Sequence, residues 1–147
     1  MSKIKQPRFK MGAFLSRVHR FLYVLLNGRF VSHQGSVDFL LLTTKGRRTQ
    51  RKRTVPLLYF TDGVNLCVIG SRGGHPKAPD WVLNIKNDPK VGLQVEGVRR
   101  EGTARIATGD EREALWPRFV QSYAGYEAYQ ARTTRRFPIV VIAPSDA

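Results

Sequence analysis

Cysteine is almost absent from this sequence, and so are long apolar runs. The single cysteine, Cys67, rules out an internal disulfide, so we expect a reducing compartment in which Cys67 fills core space. The longest apolar run near the N-terminus, residues 21–26, is far shorter than the roughly 20 residues that span a bilayer. No small-residue cleavage pattern follows it, which argues against a secretion signal. A cytoplasmic protein is therefore expected.

Metal-binding and familiar nucleotide-binding patterns are also missing. The three histidines, His19, His33 and His75, are far apart and have no carboxylate or cysteine at ligand spacing. No G-x-G-x-x-G follows a strand pattern, and there is no Walker lysine loop. No Ser-His-Asp or Cys-His grouping can be assembled either. We therefore expect no metal site.

Acidic residues are scarce in the first part of the chain. The 25 Lys and Arg residues outnumber the 11 Asp and Glu residues, which gives a formal charge of +14. Residues 1–53 carry 13 basic residues and one acid, or +12, whereas residues 54–147 carry 12 and 10, or +2. Such a basic half is typical of a protein that faces nucleic acid, an anionic membrane, or a small ligand with phosphate and carboxylates.

An amphipathic helix is predicted near the N-terminus. Its apolar positions follow helical spacing and are surrounded by basic residues. They are Phe14, Val18, Phe21, Leu22 and Leu25. The pattern suits both an interfacial helix on anionic lipid and a helix docked on its own domain. Because 147 residues suffice for one domain, we divide the chain into a basic helix or tail at 1–30 and a barrel domain at 31–147.

Short β-branched runs separated by turn residues predict strands from residue 38 onward. We place six strands near residues 39–44, 53–60, 64–70, 91–96, 98–107 and 138–143. Asp62-Gly63 and Glu96-Gly97 are expected to form hairpin turns. Six strands at hairpin spacing predict a mainly β fold, an antiparallel barrel with flanking helices.

Three helices are predicted between the strands. The first covers 79–86, with a proline near its first position, and the third covers 126–131. The second follows Thr108, where Thr108 and Glu111 form a capping-box pattern in which each side chain would bind the other's amide.

A basic loop connects the first two predicted strands. Six cations lie within residues 45–53: Lys45, Arg47, Arg48, Arg51, Lys52 and Arg53. These charges repel one another unless an anion is present. Composition alone leaves open a solvated loop, a nucleic-acid site and a site for a phosphate-bearing cofactor.

A Gly-Gly turn follows the third predicted strand. Such a turn exposes backbone amides, and Ser71, Arg72 and Lys77 add donors, so an anion or a planar heterocycle could lie against it. The alternative is a plain strand-to-helix connection, in which Asp80 caps the helix and Trp81 packs in the core.

Three tyrosines, Tyr123, Tyr126 and Tyr129, are spaced three residues apart. On a helix this spacing places the phenols along one face. Core packing is the common outcome of such a stripe. A wall that holds an aromatic substrate and donates a proton is the functional alternative, since tyrosine buries a ring while offering a hydroxyl.

The basic loop, the Gly-Gly turn and the three tyrosines, in this order, resemble the deazaflavin-dependent nitroreductase family of actinobacteria. Members of that family are split β-barrel proteins, like the FMN-binding split barrels. The resemblance covers roughly residues 9–144. Its most specific parts are residues 41–47, 56–57, 71–74, 79–81, 84, 87–89, 115–117, the three tyrosines and 138–141.

The resemblance implies coenzyme F420, an 8-hydroxy-5-deazaflavin whose tail carries a phosphodiester and several glutamates. By similarity, Arg47, Arg53 and Lys77 would bind the tail, and Ser71 with the Gly73 and Gly74 amides would approach the ring. Residues that assist the tail contacts or line the pocket complete the implied coenzyme site: Thr43, Arg48, Thr49, Gln50, Pro56, Arg72, Trp81 and Asn84.

The resemblance also implies a reductase that passes a hydride to a menaquinone-like quinone or a nitroaromatic acceptor. Tyr126 would donate the proton, and Tyr123 and Tyr129 would shape the acceptor pocket. Two features depart from the family pattern: Arg72 stands where a lysine is frequent, and Gln50-Arg51-Lys52 replaces a Gly-x-Pro turn. Neither departure removes a positive charge.

Three other functions remain open at this point. One is an FMN-dependent split-barrel oxidoreductase, because the fold is shared. Another is a basic nucleic-acid-binding module, which the lack of an RNP-like strand or a recognition helix disfavours, so nucleic acid is not expected as a partner. The last is a coenzyme-binding protein without turnover that lies peripherally on the inner face of the cell membrane through its N-terminal helix.

Overall fold

The computed structural model describes residues 38–145, so the predicted N-terminal helix lies outside the described residues. Six strands occur there: β1 (Asp38–Lys45), β2 (Lys52–Asp62), β3 (Asn65–Ile69), β4 (Lys90–Val95), β5 (Val98–Ile106) and β6 (Ile139–Pro144). Between them lie a 3-10 turn (Arg72–Gly74), α1 (Asp80–Asn87), α2 (Gly109–Ser122) and α3 (Gly125–Ala131). The predicted strands are confirmed, with ends shifted by at most two residues.

The strands form a closed barrel in the order β1-β2-β3-β6-β5-β4, and all neighbours are antiparallel. Pairing of β1 with β4, which places Leu40 opposite Val95, closes the barrel. The predicted six-stranded antiparallel barrel is confirmed. Closure removes the unpaired sheet edges that would otherwise invite aggregation.

Alternation along each strand separates two apolar layers. On β1, Leu40 and Leu42 are buried in the barrel core, whereas Leu41 between them is only partly buried. A second layer lies between the outer barrel face and α2, where the rings of Phe60 and Phe119 are 4.5 Å apart. Burying each large aliphatic or aromatic side chain contributes about 1.5–3 kcal/mol, so the two layers together hold the barrel and α2 in one unit.

Cys67 belongs to the buried residues of the barrel wall and is fully enclosed. Burial raises the pKa of its thiol to about 11, so the reactive thiolate is scarce at neutral pH. The expected role as core filler agrees with this position.

The two hairpin turns differ in their detail. Glu96-Gly97 forms a two-residue turn with φ of 50° and 79°, and Val95 pairs with Val98 on either side, as a type I′ hairpin requires. The turn at Asp62-Gly63 is shifted by one residue, because Asp62 remains in β2 opposite Asn65 and the turn residues are 63–64. Asp62 is held there by an ion pair of 3.1 Å with Arg118 of α2.

The capping-box prediction at α2 is wrong. Thr108 makes no side-chain hydrogen bond to the helix. Glu111 instead accepts two hydrogen bonds from the Arg105 guanidinium, at 2.5 and 2.8 Å, which lowers the pKa of that carboxyl. A bidentate charged pair is stronger than the single amide contact of a capping box, and the strand neighbour was not visible in the local pattern.

The strand directions bring the long connections to one end of the barrel, which we call the loop end. Lys45 pairs with Lys52 and Ile69 with Ile139, so the carboxyl ends of β1 and β3 lie beside the amino ends of β2 and β6. The basic loop at 46–51, the 70–79 connection to α1, and the segment that holds α2 and α3 all leave from this end.

Candidate functional site

The basic loop closes on itself through backbone hydrogen bonds. The Gly46 amide donates to the Arg51 carbonyl at 2.7 Å, and the Gln50 amide donates to the Gly46 carbonyl at 2.8 Å. Gln50 adopts a φ of 61°, a left-handed conformation that glycine occupies more easily. This is the first position of the replaced Gly-x-Pro turn, so the backbone shape that a glycine would favour is present here with a glutamine.

Arg47 attaches this loop to α1. Its amide and its guanidinium both donate to the Asn84 side-chain oxygen at 3.1 Å, and the guanidinium also contacts the Asp80 carboxylate at 3.4 Å. The Asn84 amide in turn donates to the buried Thr44 hydroxyl at 3.1 Å. Arg47 therefore has a structural role that the sequence did not indicate, and it keeps part of its charge at the surface.

The other predicted loop residues are exposed. Arg48, Thr49, Gln50 and Arg53 all have exposed side chains at the loop end, and so does Lys77 in the connection before α1. Exposed cations attract an anion over a distance but do not fix its orientation. These residues can supply charge to a ligand's tail.

Trp81 and Asn84 are buried, unlike the loop residues. Trp81 is 6% exposed and packs in the barrel core, and Asn84 is 3% exposed beneath the loop. The packed Trp81 of the alternative interpretation is thereby observed. The cap by Asp80 is not, because the N-cap residue of α1 is Pro79 and no side chain makes a capping hydrogen bond there. Any contact of Trp81 or Asn84 with a coenzyme stays a prediction.

The turn after β3 presents consecutive amides to one side. Ser71 has right-handed helical angles, and Arg72 and Gly73 are left-handed with φ of 45° and 60°. Such a succession of right- and left-handed residues is the backbone arrangement found in anion-binding concavities of N–H groups. Within residues 38–145 the Gly74 amide donates to Ser71 and the His75 amide to Arg72, while the amides of Ser71, Arg72 and Gly73 have no hydrogen-bond partner. Gly74, predicted to offer its amide, is engaged within the turn.

Gly74 also explains why the turn and α3 lie together. A Cβ atom at Gly74 would come within 2.5 Å of the Tyr129 carbonyl oxygen, and Gly74 has a φ of 84°. At Gly73 an added Cβ would meet nothing within 4 Å. Gly74 therefore needs glycine for its close backbone contact with α3, whereas Gly73 needs glycine only for its left-handed angle.

The three tyrosines do form one cluster beside this turn. The rings of Tyr123 and Tyr126 are 5.1 Å apart at 90°, and the Tyr123 and Tyr129 hydroxyl oxygens are 2.9 Å apart, at hydrogen-bond distance. Tyr126 also packs edge-on against Phe119, with centroids 5.9 Å apart. One wall of phenols therefore connects the α2 layer to the turn.

Tyr126 is the buried member of the tyrosine cluster. The residue is 5% exposed, and burial, reinforced by Tyr123 and Tyr129, raises its pKa above the ordinary value. No hydrogen bond joins its hydroxyl to another group within residues 38–145, and no side-chain oxygen or nitrogen there is both fully enclosed and unpartnered, so this oxygen is not fully enclosed. Burial likewise raises the pKa of Tyr129 to about 12, so both phenols are protonated donors at neutral pH.

Thr43 and Pro56 lie on the outer face of β1 and β2, where the Thr43 and Thr54 hydroxyls are 2.7 Å apart. Two adjoining grooves of about 670 and 450 Å³ run over the outer face of β1, β4 and β5, and Thr43 lines both. Among the described residues that line these grooves, none belongs to the 71–74 turn or the tyrosine cluster. Contacts of Thr43 and Pro56 with the same ligand as the turn stay a prediction.

Sequence reasoning missed Arg132 and Arg135. The Arg135 guanidinium donates to the carbonyls of Gly70, Ser71 and His75 at 2.8–3.1 Å, and Arg132 donates to the Gly73 carbonyl at 3.4 Å. The only signal in the sequence is the basic run just before β6. These two arginines therefore hold the turn through its backbone carbonyl oxygens.

With this geometry known, comparison with known proteins defines the family. Residues 15–144 match the family described as F420H(2)-dependent quinone reductase. The chain belongs to this family. The predicted coenzyme, F420, and the predicted class, an F420-dependent reductase, are thereby confirmed.

Individual relatives agree with this assignment. The chain is 35% identical over 137 residues to an F420H(2)-dependent quinone reductase of Mycobacterium tuberculosis, and the matched residues cover 90% of this chain and 91% of the relative. Among solved structures, an F420-H2 dependent reductase, FDR-A, superposes with a TM-score of 0.66 at 35% identity, covering 71% of this chain and 93% of that one. An FAD-binding protein of Mesorhizobium loti, at 14% identity and a TM-score of 0.53 over 83% of this chain and 87% of that one, shares the fold alone.

Proposed function

We propose that this protein transfers a hydride from reduced coenzyme F420 to a quinone, with nitroaromatic compounds as further acceptors, at the loop end of the barrel. The observation that carries the proposal is the row of three amides, at Ser71, Arg72 and Gly73, that have no hydrogen-bond partner within residues 38–145 and lie beside the tyrosine cluster. It brings groups that can bind an electron-rich ring edge together with groups that can donate a proton.

The residues at the loop end fit the two halves of this coenzyme. Its tail carries a phosphodiester and glutamates, and the exposed cations of the basic loop, with Lys77, match those negative charges. Its ring system carries carbonyl and amide groups, which the three amides of the turn can bind as neutral donors. Arg72 adds a cation at the boundary between the halves.

When bound, reduced F420 supplies the hydride, so the protein needs to bind, orient and exclude water. The partly exposed rings of Tyr123 and Tyr129, packed on the buried Tyr126 ring, form a wall against which an aromatic acceptor can stack. The Tyr126 hydroxyl is proposed to donate a hydrogen bond, and then its proton, to the acceptor oxygen as negative charge develops there. Like any phenol it is protonated at neutral pH. Tyr123 and Tyr129 are proposed to shape the acceptor pocket.

The first experiment is a titration of the purified full chain with oxidised F420, followed by anaerobic mixing of the reduced form with menaquinone. We expect micromolar or tighter binding and recovery of the oxidised coenzyme's absorbance. Reduced FMN and a nitroaromatic acceptor are the parallel arms. Binding without reoxidation by any acceptor would contradict the reductase proposal, and faster turnover with FMN would contradict the coenzyme assignment for this chain.

We also propose that the basic N-terminal segment places the enzyme on the inner face of the cytoplasmic membrane, where a quinone is available. Residues 1–30 contain seven basic residues, at positions 3, 5, 8, 10, 17, 20 and 29, and no acid. Within residues 38–145 no helix has both the length and the hydropathy to span a bilayer. Deleting residues 1–28 should abolish sedimentation with anionic vesicles and leave F420 affinity unchanged. Continued sedimentation of the truncated chain would contradict an anchor in this segment.

A further inference from the structure

Arg135 makes a set of contacts that the proposed chemistry does not use. Its guanidinium donates to the Gly70 carbonyl at 3.1 Å, to the Ser71 carbonyl at 2.9 Å and to the His75 carbonyl at 2.8 Å. The three acceptors lie 60 to 65 residues away in the sequence. One side chain therefore joins the segment before β6 to both ends of the turn after β3.

The surroundings of Arg135 fix the guanidinium in this place. Its plane lies over the Phe137 ring, with 4.8 Å between the guanidinium carbon and the ring centroid. The Arg135 amide donates to the Thr133 hydroxyl at 3.3 Å, and the Gln130 side chain donates to the Arg135 carbonyl at 2.7 Å. The backbone of Arg135 and its guanidinium are thus both held in place, and the residue is only partly exposed.

The geometry of the peptide bond links these carbonyls to the amides of the turn. In a planar trans peptide, the carbonyl of one residue and the amide of the next point in opposite directions. Arg135 holds the Gly70 carbonyl, so the Ser71 amide points away from Arg135, and it holds the Ser71 carbonyl, so the Arg72 amide does the same. Two of the three amides that lack a partner in the described part of the chain therefore take their direction from one guanidinium.

We infer that Arg135 is a positioning residue, which holds the carbonyls of Gly70, Ser71 and His75 and thereby keeps the Ser71 and Arg72 amides directed at the coenzyme ring. The inference rests on the proposed function. A planar guanidinium with several donors is suited to this task, whereas a lysine ammonium has one nitrogen and cannot reach three separate carbonyls in one plane. Burial, together with the nearby Arg72 charge, lowers the pKa of the Arg135 guanidinium.

The first part of the test examines the turn without coenzyme. Arg135→Gln removes the charge and most donors, Arg135→Lys keeps the charge, and Arg136→Gln is the matched control, because Arg136 is exposed and pairs with Glu113. Hydrogen exchange of the Gly74 and His75 amides, which close the turn, is followed by NMR in each protein. We expect exchange at least about tenfold faster in Arg135→Gln, a smaller increase in Arg135→Lys, and none in the control. Equal exchange in all four proteins, including wild type, would overturn the inference.

The second part measures F420 affinity in the same proteins, with the melting temperature as a check on folding. We expect the Kd to rise about tenfold or more in Arg135→Gln and less in Arg135→Lys, as lost hydrogen bonds from an oriented turn predict. Faster exchange with an unchanged Kd would show that Arg135 is structural only and would overturn the inference. If Arg135→Gln does not fold, Arg135→Lys alone decides by the same two measurements. If wild type does not bind F420, the proposed function fails, and the positioning role fails with it.

Discussion

The basic loop and the turn after β3 lie at the same end of the barrel, but they are built in different ways. The loop at 46–51 is closed by its own backbone hydrogen bonds, attached to α1 through Arg47, and otherwise exposes its side chains. The turn is packed against α3 at Gly74, and Arg135 holds it through its backbone carbonyl oxygens. The loop therefore offers charge with little fixed geometry, and the turn offers fixed geometry from neutral amides.

Under the proposed function, this difference gives each region a separate part of coenzyme binding. Charge attraction acts over about 8–10 Å at ordinary ionic strength and weakens with salt, so it suits a flexible polyanionic tail. Oriented amides act at hydrogen-bond distance and are insensitive to salt, so they suit a ring that must be held for hydride transfer. Substitutions in the two regions should differ in size and in salt dependence.

The largest effect is expected from Gly74→Ala. The new methyl group would lie 2.5 Å from the Tyr129 carbonyl oxygen at a φ of 84°, so the turn and α3 must separate. Overpacking of about 1–3 kcal/mol and a left-handed alanine of about 1–2 kcal/mol should together lower the free energy of unfolding and abolish F420 binding. Gly73→Ala is the matched control, because it has a similar angle and open space. Urea unfolding that ranks the two variants equally would contradict the close contact.

The next largest effect is expected from Tyr126→Phe. The variant keeps the ring packing against Phe119 and removes one hydroxyl. If that hydroxyl stabilises charge on the acceptor as the hydride arrives, turnover should fall by a factor of about 10 to 1,000 while F420 affinity changes little. Tyr59→Phe, in the barrel wall, is the control. An unchanged rate with every acceptor, together with a lower melting temperature, would make Tyr126 a core residue only.

A smaller effect is expected when charge is removed from the basic loop. Arg53→Ala should weaken F420 binding by a few-fold to about tenfold at low salt and leave the melting temperature unchanged, because Arg53 is exposed. Arg47→Ala should weaken binding similarly and also lower the melting temperature, since it loses its contacts with Asn84 and Asp80. Calorimetric titration with F420 and thermal unfolding, carried out in parallel, distinguish the two variants. Equal melting temperatures in both variants would contradict the anchoring role of Arg47.

The barrel could be predicted from the sequence because its information is local. Alternation of apolar residues and glycine-containing turns determines where strands begin and end, as in the hairpin at Glu96-Gly97. The capping box failed because Glu111 has a stronger partner on a neighbouring strand, Arg105. A residue pattern describes which local contacts are available but does not include competitors brought in by the fold.

The site was predictable only in part, for the same reason. Residue types identified the basic loop, the turn and the tyrosines, because cations, glycines and phenols carry their chemistry with them. Arg135 was missed, since its partners are more than 59 residues away and nothing local distinguishes it from Arg136. The spacing of the three tyrosines did not distinguish them, and only the resemblance singled out Tyr126. Packing separates its buried ring from the hydroxyl pair of Tyr123 and Tyr129.

The most direct test of the division between charge and geometry is the salt dependence of F420 binding in three proteins: wild type, Arg53→Ala and Arg135→Lys. In a plot of log Kd against log salt concentration, Arg53→Ala should have a shallower slope than wild type, because one ionic contact with the tail is gone. Arg135→Lys should have a higher Kd at every salt concentration with the wild-type slope, because it keeps the charge and loses only the orientation of the amides. Equal slopes for Arg53→Ala and wild type, or a changed slope for Arg135→Lys, would contradict the account.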